Sequence, residues 1–358
     1  MNSSTFSSSS MADQKRDQSI IDFKIPWALV ITIATVAIVE WMAFRTDVLV
    51  DNDEIFLPSD RAPTLVESIV DAKLNVADEA GQGVDILILG DSSGLMGVDP
   101  AVLSERTGRS CYNLCTISLM GVQGHQAILN RYLETHATPS VIIYHFAPND
   151  MRFTEQDLDQ WKFLSQVERW LAYRQSSSGT DKDEPSRRDW TVLPSQKFRT
   201  EAQSWLSLES SRVRFMNQPR GKWPSHSKVV KELDRRRGFM EETSTFHWDS
   251  PRDLELVFSE HHKATLRQLM QHINDMGIRM YLVANPLPEM AHTTKTDQHF
   301  AAMLNSIEGL AHSFPNVSLP FPQPRYIENT RFATLNHLRP EAVMEHTTQI
   351  VDQIDFPR

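Results

Sequence analysis

The sequence is poor in cysteine, with only Cys111 and Cys115 in a chain of 358 residues. Both fall in one apolar segment that we predict to be a strand, where four residues span roughly 13 Å. Because the two Cα atoms of a disulfide lie within about 7 Å of each other, this pair cannot be bridged. The cysteine content excludes a disulfide framework and a cysteine-based zinc site, so we predict that both thiols lie in the core.

Positive charge is also scarce, since the net charge is -10 and the pI is near 5.7. A nucleic-acid-binding domain normally carries a basic surface, so the charge balance excludes a nucleic-acid partner. No glycine-rich loop of the Walker or Rossmann type is present. His261, His262 and His272 have no cysteine or carboxylate at ligand spacing, which favours a solvated helix face. We therefore predict neither a metal site nor a cofactor.

Long hydrophobic runs are limited to one, residues 25–44, with Trp27 and Trp41 near its ends. About 20 apolar residues with interfacial tryptophans are enough to cross a bilayer as a helix. A buried core helix is the alternative, but so uniform an apolar run is unusual in a soluble helix. A cleaved signal peptide is disfavoured because no small-residue cleavage site follows the run. Residues 1–24 are polar and serine-rich, which predicts a disordered tail.

The charges that flank this run predict its orientation. Lys15, Arg16 and Lys24 precede it, whereas Arg45 alone follows it closely. Basic residues favour the cytoplasmic side of a membrane, so the tail would be cytoplasmic. We expect a single-pass protein of the cell (inner) membrane whose remaining residues lie outside the cytoplasm.

The rest of the chain alternates between apolar strands and amphipathic helices. Residues 45–80 read as a stalk containing a short helix, and the sheet domain extends from 81 to 358. The predicted buried strands are 84–89, 110–116, 140–147 and 279–286, with a further short one at 316–320. Strands that alternate with helices at this spacing predict an α/β fold with a doubly wound parallel sheet.

Residues 151–253 interrupt this alternation and read as a largely helical insertion. The insertion holds six of the eight tryptophans: Trp161, Trp170, Trp190, Trp205, Trp223 and Trp248. Aromatic rings in such numbers are consistent with core packing or with a groove that faces a sugar or a lipid.

Three polar residues stand where predicted elements meet loops. Ser92 follows the first strand in Gly90-Asp-Ser-Ser-Gly94, Asn149 follows the third, and His337 precedes the last helix. Ligands of open α/β sheets bind just beyond the carboxyl ends of the strands. A serine hydroxyl needs an adjacent base, normally histidine, and an asparagine amide can stabilise an oxyanion. The three residues together therefore predict a nucleophilic serine site.

On these motifs the chain resembles the SGNH (GDSL) hydrolase superfamily from about Val84 to the C-terminus, apart from the insertion. The resemblance implies a flavodoxin-like three-layer parallel sheet, the SGNH hydrolase fold. It also implies that Ser92 is the nucleophile, that His337 is the general base, and that the Ser92 N–H and the Asn149 amide form the oxyanion hole. More narrowly, the chain resembles the membrane-anchored branch that includes alginate-type O-acetylation proteins and the teichoic-acid D-alanine transfer protein.

The sequence departs from the family pattern at three places, and the mildest of them is Ala147, which stands where the family has glycine two residues before Asn149. The family's Asp-x-x-His block has Thr334 at the aspartate position, so the site is a Ser92–His337 dyad or takes another acid. The acids considered are Glu328 and Glu341, with Asp91 as a supporting residue, and an impaired protein is the remaining alternative. The second departure concerns the remaining oxyanion donor, for which Gly121 and Ser118 both have plausible spacing, and Gly121 is preferred.

The expected function is that of a serine O-acyltransferase or acyl-esterase acting on O-acetyl or similar groups of an extracytoplasmic polysaccharide. The resembling branch implies a multi-pass membrane acyltransferase as a partner. The alternatives are a catalytically impaired scaffold or binding protein of an envelope-modification system, supported by Thr334, and a lipid esterase, suggested by the apolar run and the tryptophans.

Overall fold

The computed structural model describes residues 35, 64–160, 163–165, 167–168, 171, 226–242 and 251–356. The predicted tail and membrane span, residues 1–44, thus lie outside the described residues apart from Thr35. None of the helices in the described ranges combines the length and the apolar character that crossing a bilayer requires. The span at 25–44 stays a prediction.

The described helices and strands alternate along the chain, as the hydrophobic pattern predicts. They are α1 (Leu65–Asp78), β1 (Ile86–Gly90), α2 (Ser92–Gly97), α3 (Pro100–Thr107), β2 (Cys111–Asn113), α4 (Gly121–Thr135), β3 (Val141–Phe146), α5 (Glu155–Asp159), α6 (His226–Arg235), α7 (Glu260–Asp275), β4 (Arg279–Ala284), α8 (Thr294–Ala311), β5 (Val317–Ser318) and α9 (Pro340–Gln353). A separate two-stranded parallel sheet pairs Leu287–Pro288 with Tyr326–Ile327.

The central sheet has five parallel strands in the order β2-β1-β3-β4-β5. Every residue of β1 and β3 is buried, because helices cover both faces of the sheet. Alternate side chains of β1 enter different apolar clusters, Leu87 and Leu89 on one face and Ile86 and Ile88 on the other. The α/β class and the parallel sheet expected from the sequence are confirmed.

Local sequence signals define both ends of α3. The Asp99 side chain accepts a hydrogen bond from the Ala101 N–H at 2.7 Å, and Pro100 occupies the first helical position of α3. Gly108 ends this helix in the left-handed conformation, with φ of +69°. Cys111 and Cys115 are both buried and unbridged, as predicted.

The segment interpreted as a stalk, residues 45–80, contains a helix that belongs to the sheet domain. Helix α1 begins at the capping box of Thr64 and Glu67, and Val70 and Leu74 are fully buried in the core. The interpretation as a stalk is therefore wrong for α1. The physical reason is that this helix has an apolar face, which packs against α4 and α6.

The insertion assigned to 151–253 also contains structure that is integral to the domain. Helix α6 buries Val229 and Leu233 in the core and packs on α1. The Met240 N–H donates a hydrogen bond to the Leu95 carbonyl at 3.2 Å, which joins the segment after α6 to α2. All six insertion tryptophans lie outside the described residues, so the groove hypothesis stays untested.

Helix α7 begins at Glu260. Ser259 caps it by accepting a hydrogen bond from the His262 N–H at 3.1 Å. His262 was expected on a solvated face, yet its side chain is buried and its Nδ1 lies 2.7 Å from the Phe153 carbonyl. Burial lowers the pKa of His262 to about 4, so the imidazole is neutral and donates this hydrogen bond.

Candidate active site

Ser92 lies at the carboxyl end of β1, as the first residue of α2. The chain turns sharply at Gly90, which has φ of +141° and pairs with His145 of β3. A Cβ atom at Gly90 would lie 1.8 Å from the His145 carbonyl oxygen, so only glycine fits. Asp91 caps α2 by accepting the Ser93 N–H at 2.8 Å, which holds Ser92 at the edge of the sheet.

The structure brings Ser92 and His337 together. The Oγ atom of Ser92 lies 3.0 Å from Nε2 of His337. His337 is on the loop before α9, where Thr334 Oγ1 accepts hydrogen bonds from the backbone N–H groups of His337 at 3.1 Å and Asn336 at 3.3 Å. The Asn285 side chain donates to the Asn336 carbonyl at 3.1 Å, which ties this loop to the end of β4. The 3.0 Å separation between Ser92 Oγ and His337 Nε2 is the distance that a base needs to accept the serine proton.

A carboxylate lies next to Nδ1, the ring nitrogen of His337 that does not contact Ser92. It belongs to Glu242, a residue that the sequence interpretation missed. Its Oε2 atom lies 3.5 Å from Nδ1 of His337. Both side chains are largely buried, with exposed fractions of 21% for Glu242 and 18% for His337. At this separation His337 Nδ1 has no hydrogen-bond partner in the described structure, and the contact is an ion pair only when the imidazole is protonated. Glu242 therefore occupies the position of the acid in a Ser–His–acid arrangement.

Lys73 holds the segment that carries Glu242. Its ammonium group is fully buried and donates hydrogen bonds to the carbonyls of Asn113 and Gly238, the latter at 2.6 Å. Burial lowers the pKa of Lys73 to about 7. Gly238 has φ of +85°, and a Cβ atom there would lie 2.0 Å from the Asn113 carbonyl oxygen. The backbone after α6 can approach β2 this closely only at a glycine.

The acids considered from the sequence lie elsewhere. Thr334 forms the turn that presents His337, through the hydrogen bonds given above. Glu341 is exposed in the first turn of α9, and Glu328 is exposed at the rim of a cleft of about 230 Å³. Asp91 supports the site, because besides the Ser93 N–H it accepts the Ala147 N–H at 2.8 Å and so links the ends of β1 and β3. No sequence motif marked Glu242, which lies 95 residues before His337.

The residues expected to form the oxyanion hole carry hydrogen bonds of their own. Gly121 has φ of +60° and donates its N–H to the Ser118 carbonyl. The Asn149 Nδ2 group donates to Oδ1 of Asp150 at 3.0 Å, whereas Asn149 Oδ1 is buried without a hydrogen-bond partner. The Gly121 N–H is therefore engaged within the protein, whereas Asn149 Nδ2 has a second proton besides the one that it donates to Asp150.

Two acidic side chains next to the site influence each other. Burial raises the pKa of Asp150 to about 7, and the negative charge of Asp91 acts in the same direction. Burial also raises the pKa of Asp91, but three donors oppose this: the N–H groups of Ala147 and Ser93 and the Ser93 hydroxyl. Because Asp91 accepts three hydrogen bonds and Asp150 adjoins unpartnered amide oxygens, Asp150 is the member that holds a proton first.

Behind the site, a buried chain of hydrogen bonds runs from Asp91 to Arg325. The Ser93 hydroxyl donates to Oδ1 of Asp91 at 2.5 Å and lies 3.0 Å from Nδ1 of His145. Nε2 of His145 lies 3.0 Å from Nε2 of His346, whose Nδ1 accepts from Arg325 at 3.1 Å. Since Ser93 gives its only proton to Asp91, His145 must donate at Nδ1 and His346 must donate at Nε2. The chain thus fixes one tautomer for each histidine.

No family model matches this chain, and no curated protein matches it at a significant level. In the ranges that the structure describes, no cluster of three or more histidine, cysteine, aspartate or glutamate side chains is arranged to hold a metal ion.

Proposed function

We propose that this protein is a serine acyl-esterase or O-acyltransferase of the SGNH type, with Ser92 as nucleophile, His337 as general base and Glu242 as the acid. The observation that carries the proposal is the 3.0 Å contact between Ser92 Oγ and His337 Nε2, with Glu242 on the opposite side of the imidazole. The strand order β2-β1-β3-β4-β5 supports it, because it is the flavodoxin-like order that the resemblance implies.

The arrangement supports acyl transfer in two halves. Ser92 Oγ attacks the acyl carbonyl carbon as its proton moves to His337 Nε2, and the new imidazolium faces the Glu242 carboxylate. Collapse of the tetrahedral intermediate breaks the bond to the leaving alcohol, which takes the proton from His337. Water or a sugar hydroxyl then attacks the acyl-serine in the reverse sequence, with His337 again moving the proton. The N–H groups of Ser92 and Gly121 and the Asn149 amide stabilise the oxyanion.

The proposed substrate is an O-acetyl or similar ester on an extracytoplasmic polysaccharide, and no cofactor takes part. Two arguments support this choice: the resemblance to the membrane-anchored branch and the apolar run at 25–44. Under the same proposal the protein is a single-pass inner-membrane protein whose catalytic domain lies outside the cytoplasm. A multi-pass membrane acyltransferase would be its partner and would supply activated acyl groups when the reaction is a transfer.

A second candidate is a non-catalytic scaffold with the same fold. One observation favours it: the Gly121 N–H donates to the Ser118 carbonyl within the protein, so this donor of the proposed oxyanion hole is not free in this conformation. The position of Glu242 argues against the scaffold. Thr334 suggested an impaired protein because the family has its acid at that position, and Glu242 places an acid beside His337 from another part of the chain.

Covalent labelling of the full-length protein with a fluorophosphonate tests the proposal without requiring knowledge of the substrate. Reaction forms a bond between Ser92 Oγ and phosphorus and releases fluoride. We expect labelling of the wild type and none of Ser92→Ala or His337→Ala. The matched controls are Ser313→Ala and His312→Ala, which change exposed residues after α8 and should label normally. An unlabelled wild type, with the fold intact by circular dichroism, would support the scaffold instead.

An ester assay then separates the substrate classes. Hydrolysis of acetylated polysaccharide is compared with hydrolysis of a phospholipid ester, with Ser92→Ala as the background. Preference for the phospholipid would overturn the polysaccharide assignment while leaving the serine mechanism in place.

A further inference from the structure

The peptide unit that joins Asn336 to His337 is held by hydrogen bonds on both of its edges. Its N–H group, which belongs to His337, donates to Thr334 Oγ1 at 3.1 Å. Its carbonyl group, which belongs to Asn336, accepts a hydrogen bond from Asn285 Nδ2 at 3.1 Å. Because a peptide unit is planar, contacts on opposite edges fix the orientation of the backbone that leads into His337.

The two contacts on this peptide differ in what they connect. Thr334 belongs to the same loop as His337, so its hydrogen bond sets the shape of the loop and moves with the loop. Asn285 follows β4, and its own backbone N–H donates to the carbonyl of Phe146, the last residue of β3, at 2.8 Å. The Asn285 side chain therefore connects the loop that carries His337 to the central sheet.

The Asn285 amide has one allowed orientation. Its side chain is fully buried, and Nδ2 donates to the Pro286 carbonyl at 3.0 Å as well as to the Asn336 carbonyl. Both neighbours are carbonyl oxygens, which only accept, so rotating the amide would place its own oxygen against them. Each proton of Nδ2 thus has an acceptor within the protein. Asn285 Oδ1 is buried without a hydrogen-bond partner, which offsets part of the stability that the two hydrogen bonds contribute.

Asn285 also adjoins the helix that begins with the proposed nucleophile. A Cβ atom at Gly97 would lie 3.7 Å from Asn285 Oδ1, in ordinary van der Waals contact. Gly97 is the last residue of α2, and Ser92 is the first. The Asn285 side chain therefore lies between the helix that presents Ser92 and the loop that presents His337.

We propose that Asn285 is a positioning residue, which holds the Asn336–His337 peptide against the sheet and so keeps His337 Nε2 within reach of the Ser92 hydroxyl. The inference rests on the proposed function, in which His337 takes the proton of Ser92. Without the Asn285 donor, the hydrogen bond to Thr334 still shapes the loop, but the loop can shift as a unit relative to the sheet. A displacement of about 1 Å between reacting groups costs about 10²-fold in rate.

The test is the rate of fluorophosphonate labelling of the full-length protein over a range of reagent concentrations. Asn285→Leu keeps the approximate size of the side chain and removes both donors, so we expect the maximal labelling rate to fall about 10²-fold. The half-saturating concentration should stay the same, because both protons of the Asn285 amide are used within the protein. Asn274→Leu is the matched control. It removes a hydrogen bond to the Asn316 N–H at the amino edge of the sheet, before β5, and should label like the wild type.

The nitrogen-15 chemical shift of His337 Nε2 separates positioning from a merely structural role. Ser92→Ala removes the hydroxyl group 3.0 Å from this atom, so it should change the shift in the wild type and change it much less in Asn285→Leu. Thr334→Val frees the other edge of the same peptide from a half-buried loop position, and it should give the same two results where Asn285→Leu does not fold.

Wild-type labelling of Asn285→Leu, or an equal effect of Ser92→Ala on the His337 shift with and without Asn285, would overturn the inference. For Thr334→Val, the same outcomes would overturn it. A wild-type protein that does not label would instead overturn the proposed function, while the comparison of chemical shifts would still decide whether Asn285 positions His337.

Discussion

Ser92 Oγ and His337 Nε2 lie 3.0 Å apart although 245 residues separate them in the chain. The contact forms because β1 and the loop before α9 meet at the same edge of a parallel sheet. Each residue is held by its own local structure, Ser92 by the Asp91 cap and His337 by the Thr334 turn. The pair is thus positioned independently of any substrate, as general-base catalysis requires.

Glu242→Gln tests whether this glutamate acts as the acid. The variant keeps the shape of the side chain and loses the charge that stabilises the imidazolium, so we expect kcat to fall by up to about 10⁴-fold. The measurement is ester turnover together with the rate of Ser92 labelling. Glu328→Gln and Glu341→Gln are the controls, because both side chains are exposed and neither contacts His337 in the described structure. An unchanged kcat in Glu242→Gln would leave a Ser–His dyad as the mechanism.

Gly90→Ala tests the turn that presents Ser92. The added Cβ would lie 1.8 Å from the His145 carbonyl oxygen in the middle of the sheet, at a φ that disfavours other residues. We expect a loss of about 3 kcal/mol or more in the free energy of unfolding, measured by urea denaturation. Gly277→Ala is the control: it also has positive φ, but nothing lies within 4 Å, so about 1–2 kcal/mol is expected. Equal losses in the two variants would contradict the steric argument.

Lys73→Met tests the buried ammonium that holds the Glu242 segment. Burial lowers the pKa of Lys73 to about 7, below the value of the unfolded chain, so the unfolded state binds more protons above pH 7. The stability of the wild type relative to the variant should therefore rise with pH between about 7 and 10, by up to about 1.4 kcal/mol per pH unit. Urea denaturation across this range measures the difference. Lys228→Met, on the exposed side of α6, is the control for loss of a lysine.

A flat difference between wild type and Lys73→Met would show that burial does not lower the pKa of Lys73. The variant should also slow Ser92 labelling, because it removes the donor to the Gly238 carbonyl.

The protonation and the tautomers of the buried pair, His145 and His346, can be tested by NMR. Burial lowers the pKa of His145 to about 3, helped by the positive charge of Arg325, and lowers that of His346 well below its usual value. Both imidazoles should stay neutral at pH 5, with the proton of His145 on Nδ1 and that of His346 on Nε2. Nitrogen-15 chemical shifts of the rings, assigned with His145→Gln and His346→Gln, measure both. The opposite tautomers would contradict the direction of the hydrogen-bond chain.

The same pair predicts how the free energy of unfolding depends on pH. The unfolded chain binds protons at these imidazoles near pH 6.5 and the folded protein does not. The contribution of the neutral imidazoles to the free energy of unfolding is therefore complete above pH 6.5. It is lost as the pH falls below 6.5, and for His145 the loss extends down to about pH 3. Urea denaturation at pH 5 and pH 7 should show a smaller pH effect in His145→Gln than in the wild type.

The sequence alone determined the local features of this protein. Apolar runs with turn residues at their ends predicted β1, β3 and β4, because buried parallel strands need continuous hydrophobic character. The start of α3 followed from Asp99 and Pro100, and the positions of Ser92 and His337 at loop junctions followed from the strands and helices next to them. These features depend on residues that are close together in the chain, so the sequence alone contains the information that predicts them.

Only the tertiary structure decided the contacts between distant segments. Glu242 reaches His337 because buried Lys73 and Gly238 bring the end of α6 against β2, and no periodicity or motif records that approach. The segment that contains α1 was interpreted as a stalk, because the sequence of an amphipathic helix does not show which surface the helix packs against. The link between Asp150 and Asn336 likewise depends on the folding of the loops around one carboxylate, which is a property of the packed sheet ends.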